Sequence, residues 1–145
     1  MQAMEISRTA LDVEWRRLEL IAQNLANANT ANPPNSIGYS AQNLISGSRT
    51  DFASLLDGDI SESGIESLSG VRVYGIDAGA SSARLVHAPG DPQANADGYV
   101  SYPNIDMAAQ MTSMIRASRA YEANMVAMNA ARQMYSKALE LGRRS

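Results

Sequence analysis

The chain has 145 residues, of which 45% are apolar and 19% charged, with a net charge of −3 and no cysteine. This length predicts one domain, and the weakly acidic balance excludes a globally basic surface for nucleic acid or anionic lipid. The lack of cysteine excludes disulfides, thiol catalysis and thiolate metal sites, and no run of about 18 apolar residues is present to span a membrane.

The first predicted segment, residues 1–31, contains a helix from Met4 to Ala28. Its apolar residues recur every seven positions in two rows on different sides of the helix. Asparagines and two prolines then end the helix. No basic stretch followed by an apolar core opens the segment, so we expect no cleavable export signal. The first row is Met4, Leu11, Leu18 and Leu25, with Trp15 and Ile21 beside it, and the second row is Ile6, Val13 and Leu20.

The middle segment, residues 32–103, carries nearly all the glycine and proline, which predicts turns and short strands instead of long helices. Serine, glycine and aspartate dominate residues 46–70 and predict an exposed loop there. Beyond it, β-branched and aromatic residues predict three short strands that would form a small hairpin or sheet. These strands are Val71–Gly75, Ser82–His87 and Tyr99–Tyr102.

The last segment, residues 104–145, has the clearest pattern in the chain. Mostly apolar residues recur at alternating spacings of four and three, which predicts a long helix with a heptad row, here called the predicted seam. Asn104 or Asp106 would cap the start of this helix, and Gly142 would cap its end. The predicted seam is Met107, Met111, Met114, Ser118, Tyr121, Met125, Met128, Arg132, Tyr135 and Leu139.

These elements predict a mainly α fold in a single domain, residues 1–145. The two long terminal helices would pack as an antiparallel, coiled-coil-like pair, with a small β-hairpin and loop segment between them. Some apolar residues would stay exposed to solvent in such a pair, and we therefore expect the chain to complete its core only against neighbouring subunits. The residues expected to stay exposed are Ile6, Val13 and Leu20 on the first helix, and Ile115 and Val126 on the second.

The sequence offers little chemistry for catalysis or cofactor binding. His87 is the only histidine, and no second ligand accompanies it at metal-site spacing. The acidic group in residues 57–66 does not match a calcium loop and is typical of a solvated segment. The glycines of residues 75–80 lack the full nucleotide-binding pattern. We therefore expect no enzyme, no cofactor and no metal site.

Both ends of the chain resemble the bacterial flagellar axial proteins of the rod, hook and filament junction. The stretch Leu18–Thr30, with its Asn-Leu-Ala-Asn close, resembles their N-terminal signature. The stretch Ala117–Asn124 and the ending Leu139–Gly142 resemble their C-terminal signature. Between these ends, residues 88–106, with Ala-Pro-Gly-Asp-Pro, Asp-Gly-Tyr-Val and Tyr-Pro-Asn-Ile-Asp, resemble the proximal-rod members of the family.

The resemblance implies a structural subunit of the proximal rod, the drive shaft of the flagellar basal body. Such a subunit would polymerise helically with copies of itself and other rod proteins, and would contact the surrounding basal-body components. Its paired terminal helices would line the export channel where the rod crosses the periplasm, without a direct membrane span and without nucleic acid. The predicted assembly interface is Leu11, Leu18, Ile21, Asn24, Leu25, Asn27, Met107, Met111, Met114, Tyr121, Asn124, Met125, Met128, Tyr135 and Leu139.

The methionine-rich row leaves one alternative open. Methionine adapts to many partner surfaces, so a non-polymerising helical hairpin could bind a partner helix in a groove along this row. A defined heterodimer that never polymerises would favour this binding module.

Overall fold

A computed structural model describes residues 2–34, 36, 38–49, 70–79 and 83–143. The described part is mainly helical with a small strand segment in the middle, which confirms the predicted fold class. No helix in these ranges has the length and apolar character that a membrane crossing needs. The elements in chain order are α1 (Gln2–Asn27), β1 (Gln42–Ser48), β2 (Val71–Ala78), β3 (Arg84–His87), β4 (Tyr99–Tyr102) and α2 (Met107–Gly142).

Side chains and turns define the helix ends. The Asp106 carboxylate accepts hydrogen bonds from the backbone N–H groups of Ala108 and Ala109, at 2.9 and 3.1 Å, so Asp106 is the N-cap of α2. At the end of α1, the Thr30 N–H donates to the Asn27 carbonyl at 3.1 Å and closes a turn. The predicted cap at Gly142 is wrong, because Gly142 is the last helical residue and does not adopt the positive φ of a glycine cap.

The four strands in the described ranges form two separate two-stranded sheets. Strands β1 and β2 pair antiparallel, since the Gly79 N–H donates to Ala41 at one end and the Arg49 N–H donates to Gly70 at the other. Strands β3 and β4 also pair antiparallel, with Arg84 opposite Tyr102. The register of the second sheet is Arg84↔Tyr102, Leu85↔Ser101, Val86↔Val100 and His87↔Tyr99, and a bridge between Asn32 and Ser101 extends it.

The prediction of a loop over residues 46–70 is wrong at its start, because Ser46–Ser48 belong to strand β1. The stretch Gln42–Ser48 is polar and contains Gly47, so composition alone favours a turn. Its partner strand supplies the missing stabilisation. The Tyr74 ring lies over Gly47, and its hydroxyl donates to the Ser48 carbonyl at 2.6 Å. The rest of the predicted loop, residues 50–69, lies outside the described residues, as does Ser82 of the predicted third strand.

The chain divides into two compact units, and both helices run through both of them. The first unit comprises residues 1–16, 45–75 and 117–145, and in it the rings of Trp15 and Tyr121 lie 6.3 Å apart. The second comprises residues 17–44 and 76–116, and in it the Asn24 amide donates to the Gln110 side chain at 3.2 Å. Within the second unit the two segments run antiparallel, because Asn32, eight residues after Asn24, bridges Ser101, nine residues before Gln110.

The buried face of α1 is the second apolar row and not the first. Val13 and Leu20 are only 5% and 3% exposed, while Leu11, Leu18 and Leu25 are half-buried. The expectation that Val13 and Leu20 stay exposed is therefore wrong, and Ile6 is half-buried. The described residues with buried apolar side chains are Val13, Leu20, Ile21, Ala28, Val100 and Ala117.

Strands β1 and β2 cover this second row. In the first unit Val13 lines a recess together with Val71 and Val73, and the Thr9 hydroxyl accepts a hydrogen bond from the Val71 N–H at 3.2 Å. In the second unit Leu20 lines a recess with Leu44. The unpredicted strand β1 and its partner thus explain why this row is buried within one chain.

Candidate assembly surface

The covered face of α2 is rotated slightly from the predicted seam. The two rows share Met114, Tyr121 and Met128, which are half-buried. The predicted seam selects Met111 and Met125, which are exposed, whereas the structure half-buries their neighbours Gln110 and Asn124. Between Met114 and Tyr121 the seam selects Ser118, which is half-buried beside Ala117. Small side chains let a neighbouring element approach the helix closely, and Ala117 is accordingly only 2% exposed. The covered row is Gln110, Met114, Ala117, Tyr121, Asn124, Met128 and Ala131, and the residues Ser113, Ser118 and Ala120 beside it are also half-buried.

This rotation leaves large apolar side chains of α2 exposed. At about 100° per residue, Met111 and Ile115 lie roughly 80–120° round the helix from Tyr121. The expectation that Ile115 and Val126 stay exposed is confirmed, at 55% and 69%. A helix side with this much apolar surface is unusual in a monomeric soluble protein and marks an interaction surface. Its exposed members are Met107, Met111, Ile115, Met125 and Val126.

A second exposed apolar group lies at the C-terminal end of α2. The contact between the Trp15 and Tyr121 rings gives a reference level on the two antiparallel helices. Gln2 lies thirteen residues before Trp15, and Met134 lies thirteen residues after Tyr121, so Gln2 and Met134 are level. The remaining eight residues of α2, about 12 Å of helix, extend past the start of α1. We call residues 134–142, which begin level with Gln2, the overhang. Its exposed apolar residues are Met134 (67%), Tyr135 (41%), Leu139 (58%) and Leu141 (71%).

The predicted interface residues on α1 are less available. Ile21 is 6% exposed and Asn24 fully buried, so both stabilise the fold of a single chain. The remaining four are half-buried and form only part of the surface: Leu11, Leu18, Leu25 and Asn27. On α2, Asn124 is half-buried and its amide donates to the Ala120 carbonyl of the same helix at 2.8 Å.

Asn24 is the centre of a buried polar network in the second unit. Its amide nitrogen donates to the Gln42 carbonyl at 2.9 Å and to the Gln110 side chain at 3.2 Å. Its amide oxygen accepts from the Tyr39 hydroxyl at 2.7 Å and from the Gln42 N–H at 2.9 Å. All four hydrogen-bonding positions of the amide are therefore used. Burial raises the pKa of Tyr39, because the phenolate would lose its hydration there.

The charges near the start of α1 are paired along the helix. Arg8 donates to Glu5 at 2.6 Å and lies 3.7 Å from Asp12. The hydrogen bond from Arg8 holds the pKa of Glu5 below its ordinary value, and the same bond raises the pKa of Arg8. These groups are exposed to solvent, so they orient one another without forming a chemical site.

The sheets carry further exposed apolar residues that sequence reasoning did not select. On the second sheet, Leu85 and Tyr99 are exposed on the same face, and His87 meets the Tyr99 ring edge-on at 5.1 Å. His87 thus serves as an aromatic neighbour. Helix length was the signal for the missed Leu141, since a longer second helix must extend past the first. The other missed residues are Ile45, Val73, Tyr74, Ile76 and Met134.

The described residues contain no group of three or more histidine, cysteine, aspartate or glutamate side chains placed to hold a metal ion. The acidic group of residues 57–66 lies outside the described ranges.

Comparison with known proteins points to one family. The family described as flagellar basal body rod FlgEFG protein C-terminal matches residues 96–141. The chain is 36% identical to the flagellar basal-body rod protein FlgC of Bacillus subtilis, with 97% of each chain covered. It is 30% identical to FlgC of Salmonella typhimurium, with 98% of this chain and 97% of the relative covered. It is 32% identical to FlgC of Yersinia enterocolitica over the same shares.

Proposed function

The chain belongs to the family of flagellar basal-body rod proteins FlgC, and we propose from this membership that it assembles helically with copies of itself and other rod proteins. It is a structural subunit of the flagellar basal-body rod. The proposed partners are the rod proteins on either side and the basal-body components around them. The resemblance of residues 88–106 to proximal-rod members supports a place in the proximal rod.

One observation carries this proposal: α2 exposes more apolar surface than a single chain covers. The exposed apolar residues of α2 fall into two groups, the side with Met111 and Ile115, and the overhang with Leu139. A rod subunit with neighbours beside it and along the axis buries both groups. Apolar burial is the main favourable term in such an association.

The proposed place of the two helices follows from the same surface. Paired terminal helices, packed against those of neighbouring subunits, would form the wall of the export channel along the rod axis. In this arrangement the rod crosses the periplasm and the chain reaches it by the flagellar export route. The role is mechanical, and we propose no catalytic activity for the chain.

The alternative of a helical hairpin that binds one partner helix is not favoured by the family. It also fits the surface poorly. A binding module of this kind needs one apolar groove, whereas this chain exposes apolar residues on two parts of α2 and on its sheets.

Replacing Met125 tests the proposal in the source bacterium. Met125 is 44% exposed, so Met125→Asp should leave the single chain folded but place a charge in the proposed contact. We expect loss of swimming and loss of the chain from isolated basal bodies, with the protein still exported. The matched control, Met125→Leu, keeps the volume and apolar character and should swim normally.

Normal swimming and normal rod content in Met125→Asp would contradict the proposal at this surface. The isolated protein offers an independent test, by circular dichroism and size-exclusion chromatography at low concentration. We expect frayed helix ends that become ordered on assembly. A sharply melting monomer with both helices fully ordered and its apolar residues covered would overturn the argument from exposed surface.

A further inference from the structure

We infer that the outer edge of β3 pairs with an extended segment of a different rod protein, which adds a strand to the second sheet. In such strand addition, the backbone N–H and C=O groups of an open sheet edge form hydrogen bonds with those of the partner. The inference rests on the proposed function, because only an assembled rod supplies this neighbour.

The hydrogen bonds of β4 determine which way the backbone of β3 points. Successive residues of a strand direct their N–H and C=O groups to opposite edges. Ser101 exchanges both of its backbone hydrogen bonds with Asn32, at 2.8 and 2.9 Å. The Tyr99 C=O accepts from the Asn95 N–H at 2.9 Å, and the Tyr99 N–H donates to the Asn95 side chain at 2.8 Å. Both residues of β4 therefore turn their backbone groups away from β3.

On β3 the same alternation leaves two residues at the outer edge. Val86 lies opposite Val100, the residue of β4 between the two just described, so the backbone groups of Val86 face β4. The N–H and C=O groups of Leu85 and His87 then point outward. Among the described strands, only β4 pairs with β3. Leu85 is 58% exposed, so an apolar side chain lies beside these two donors and two acceptors.

The other three strands are protected at their outer edges. Strand β4 is closed by the hydrogen bonds described above. Strand β1 is closed at Gln42, whose N–H and C=O both bond the Asn24 side chain. Strand β2 contains a bulge, because residues 70–79, ten in all, lie opposite residues 41–49, nine in all. Bulges and covered edges are the ways in which proteins prevent unwanted strand pairing.

Strand β3 carries none of these protections. Its four residues include no proline and pair with β4 without a bulge. Arg84 is charged, but its guanidinium lies 5.9 Å from the centre of the Tyr102 ring on β4, so this charge is turned away from the outer edge. An unprotected edge of this kind is a template for pairing with another chain.

The partner strand comes from a different protein and not from a second copy of this chain. Pairing between the β3 edges of two copies would be two-fold symmetric, and a two-fold contact closes a dimer instead of continuing a helical assembly. The other described strands of a copy have protected edges. A different rod protein avoids both obstacles, and an apolar side chain in its extended segment would be buried against Leu85.

Proline at position 85 tests the outer edge. Leu85→Pro removes the outward N–H but none of the donors between β3 and β4, so the single chain should fold. In basal bodies isolated from the source bacterium, we expect the amount of this chain to fall about tenfold or more, with loss of swimming. The matched control, Leu85→Val, keeps the N–H and an apolar side chain and should assemble normally. Circular dichroism compares the folding of the purified variants.

Met125→Asp separates failure of this inference from failure of the proposed function. Normal rod content in Leu85→Pro, with Met125→Asp excluded from the rod, would overturn the strand pairing and leave the proposed function intact. Normal rod content in both variants would overturn both.

Hydrogen exchange decides the question if Leu85→Pro does not fold. The unmodified chain is compared as purified protein and in isolated basal bodies, by mass spectrometry of a peptide containing residues 84–88. We expect fast exchange of the Leu85 and His87 amides in the purified protein, and a gain of about two protected amides in the basal bodies. Equal exchange in the two states would contradict strand pairing.

A photo-reactive residue at position 85 identifies the partner. The amino acid p-benzoylphenylalanine is incorporated in place of Leu85 in the source bacterium, and the cross-linked product is identified by mass spectrometry. We expect a cross-link to one rod protein that differs from this chain. A product of two copies of this chain, or the absence of any product with a rod protein, would overturn the inference.

Discussion

Variants of the overhang should affect assembly strongly while leaving the stability of the single chain almost unchanged. The triple variant Met134→Ala, Leu139→Ala and Leu141→Ala removes three side chains that are 67%, 58% and 71% exposed. Because these side chains have little contact in the single chain, its free energy of unfolding should change by less than about 0.5 kcal/mol. Alanine also favours helix at these positions.

The effect on assembly should be much larger. Burying a large apolar side chain completely is worth about 1.5–3 kcal/mol, and the three exposed fractions together amount to nearly two complete side chains. Alanine keeps part of this burial, so we expect a loss of about 2–4 kcal/mol for each subunit contact. This corresponds to an increase of about 30- to 700-fold in the concentration needed for assembly.

Swimming in soft agar and the amount of the chain in isolated basal bodies measure this effect, alongside urea unfolding of the purified protein. The control variant Gln133→Ala, Ser136→Ala and Lys137→Ala changes three polar positions of the same helix region and should assemble normally. Full motility of the apolar triple variant would refute the role of the overhang, as would an equal loss of motility in the control.

The remaining predictions concern the fold and its polar network. Leu20→Ala should lower the free energy of unfolding by about 2–5 kcal/mol, since Leu20 is 3% exposed, and half-buried Leu18→Ala should cost clearly less in the same urea titration. Burial raises the pKa of Tyr39, so the unfolded chain loses the Tyr39 proton at a lower pH than the folded chain. The free energy of unfolding should therefore fall as the pH rises above about 10, and Tyr39→Phe should remove this contribution. Asp106→Ala should cost about 1 kcal/mol because it deletes the cap of α2, whereas Asn104→Ala should be nearly neutral in the same thermal melts; equal losses would contradict the assignment of the cap.

Local patterns were sufficient for much of the fold. The absence of helix breakers predicted the two long helices, whose ends in the structure lie within a few residues of the expected ones. Strand β4 was predicted with its correct bounds, because Tyr99–Tyr102 combines aromatic and β-branched residues after a turn. Asp106 was one of two predicted caps, and only the hydrogen-bond geometry decided between it and Asn104. These features depend on residues close together in the chain, which a sequence displays directly.

The candidate surface was predicted less completely. The heptad pattern correctly selected the half-buried residues Met114, Tyr121 and Met128, but it assigned Met111 and Met125 to the same row, although these are exposed. Apolarity alone favours Met111 and Met125, whereas the structure half-buries their polar neighbours Gln110 and Asn124. The exposed methionines nevertheless remain in the proposed assembly surface, because a side chain that α1 does not cover is available to a neighbour.

The sequence by itself determined the helical class, the helix bounds to within a few residues, the family and the presence of excess apolar surface. Only the tertiary structure decided which apolar row becomes the core of a single chain. Strand β1 is too polar to be recognised alone, yet its pairing with β2 covers Val13 and Leu20. Burial depends on which distant segments meet, and the partners of Asn24 at Tyr39, Gln42 and Gln110 show how far apart in the chain such segments lie.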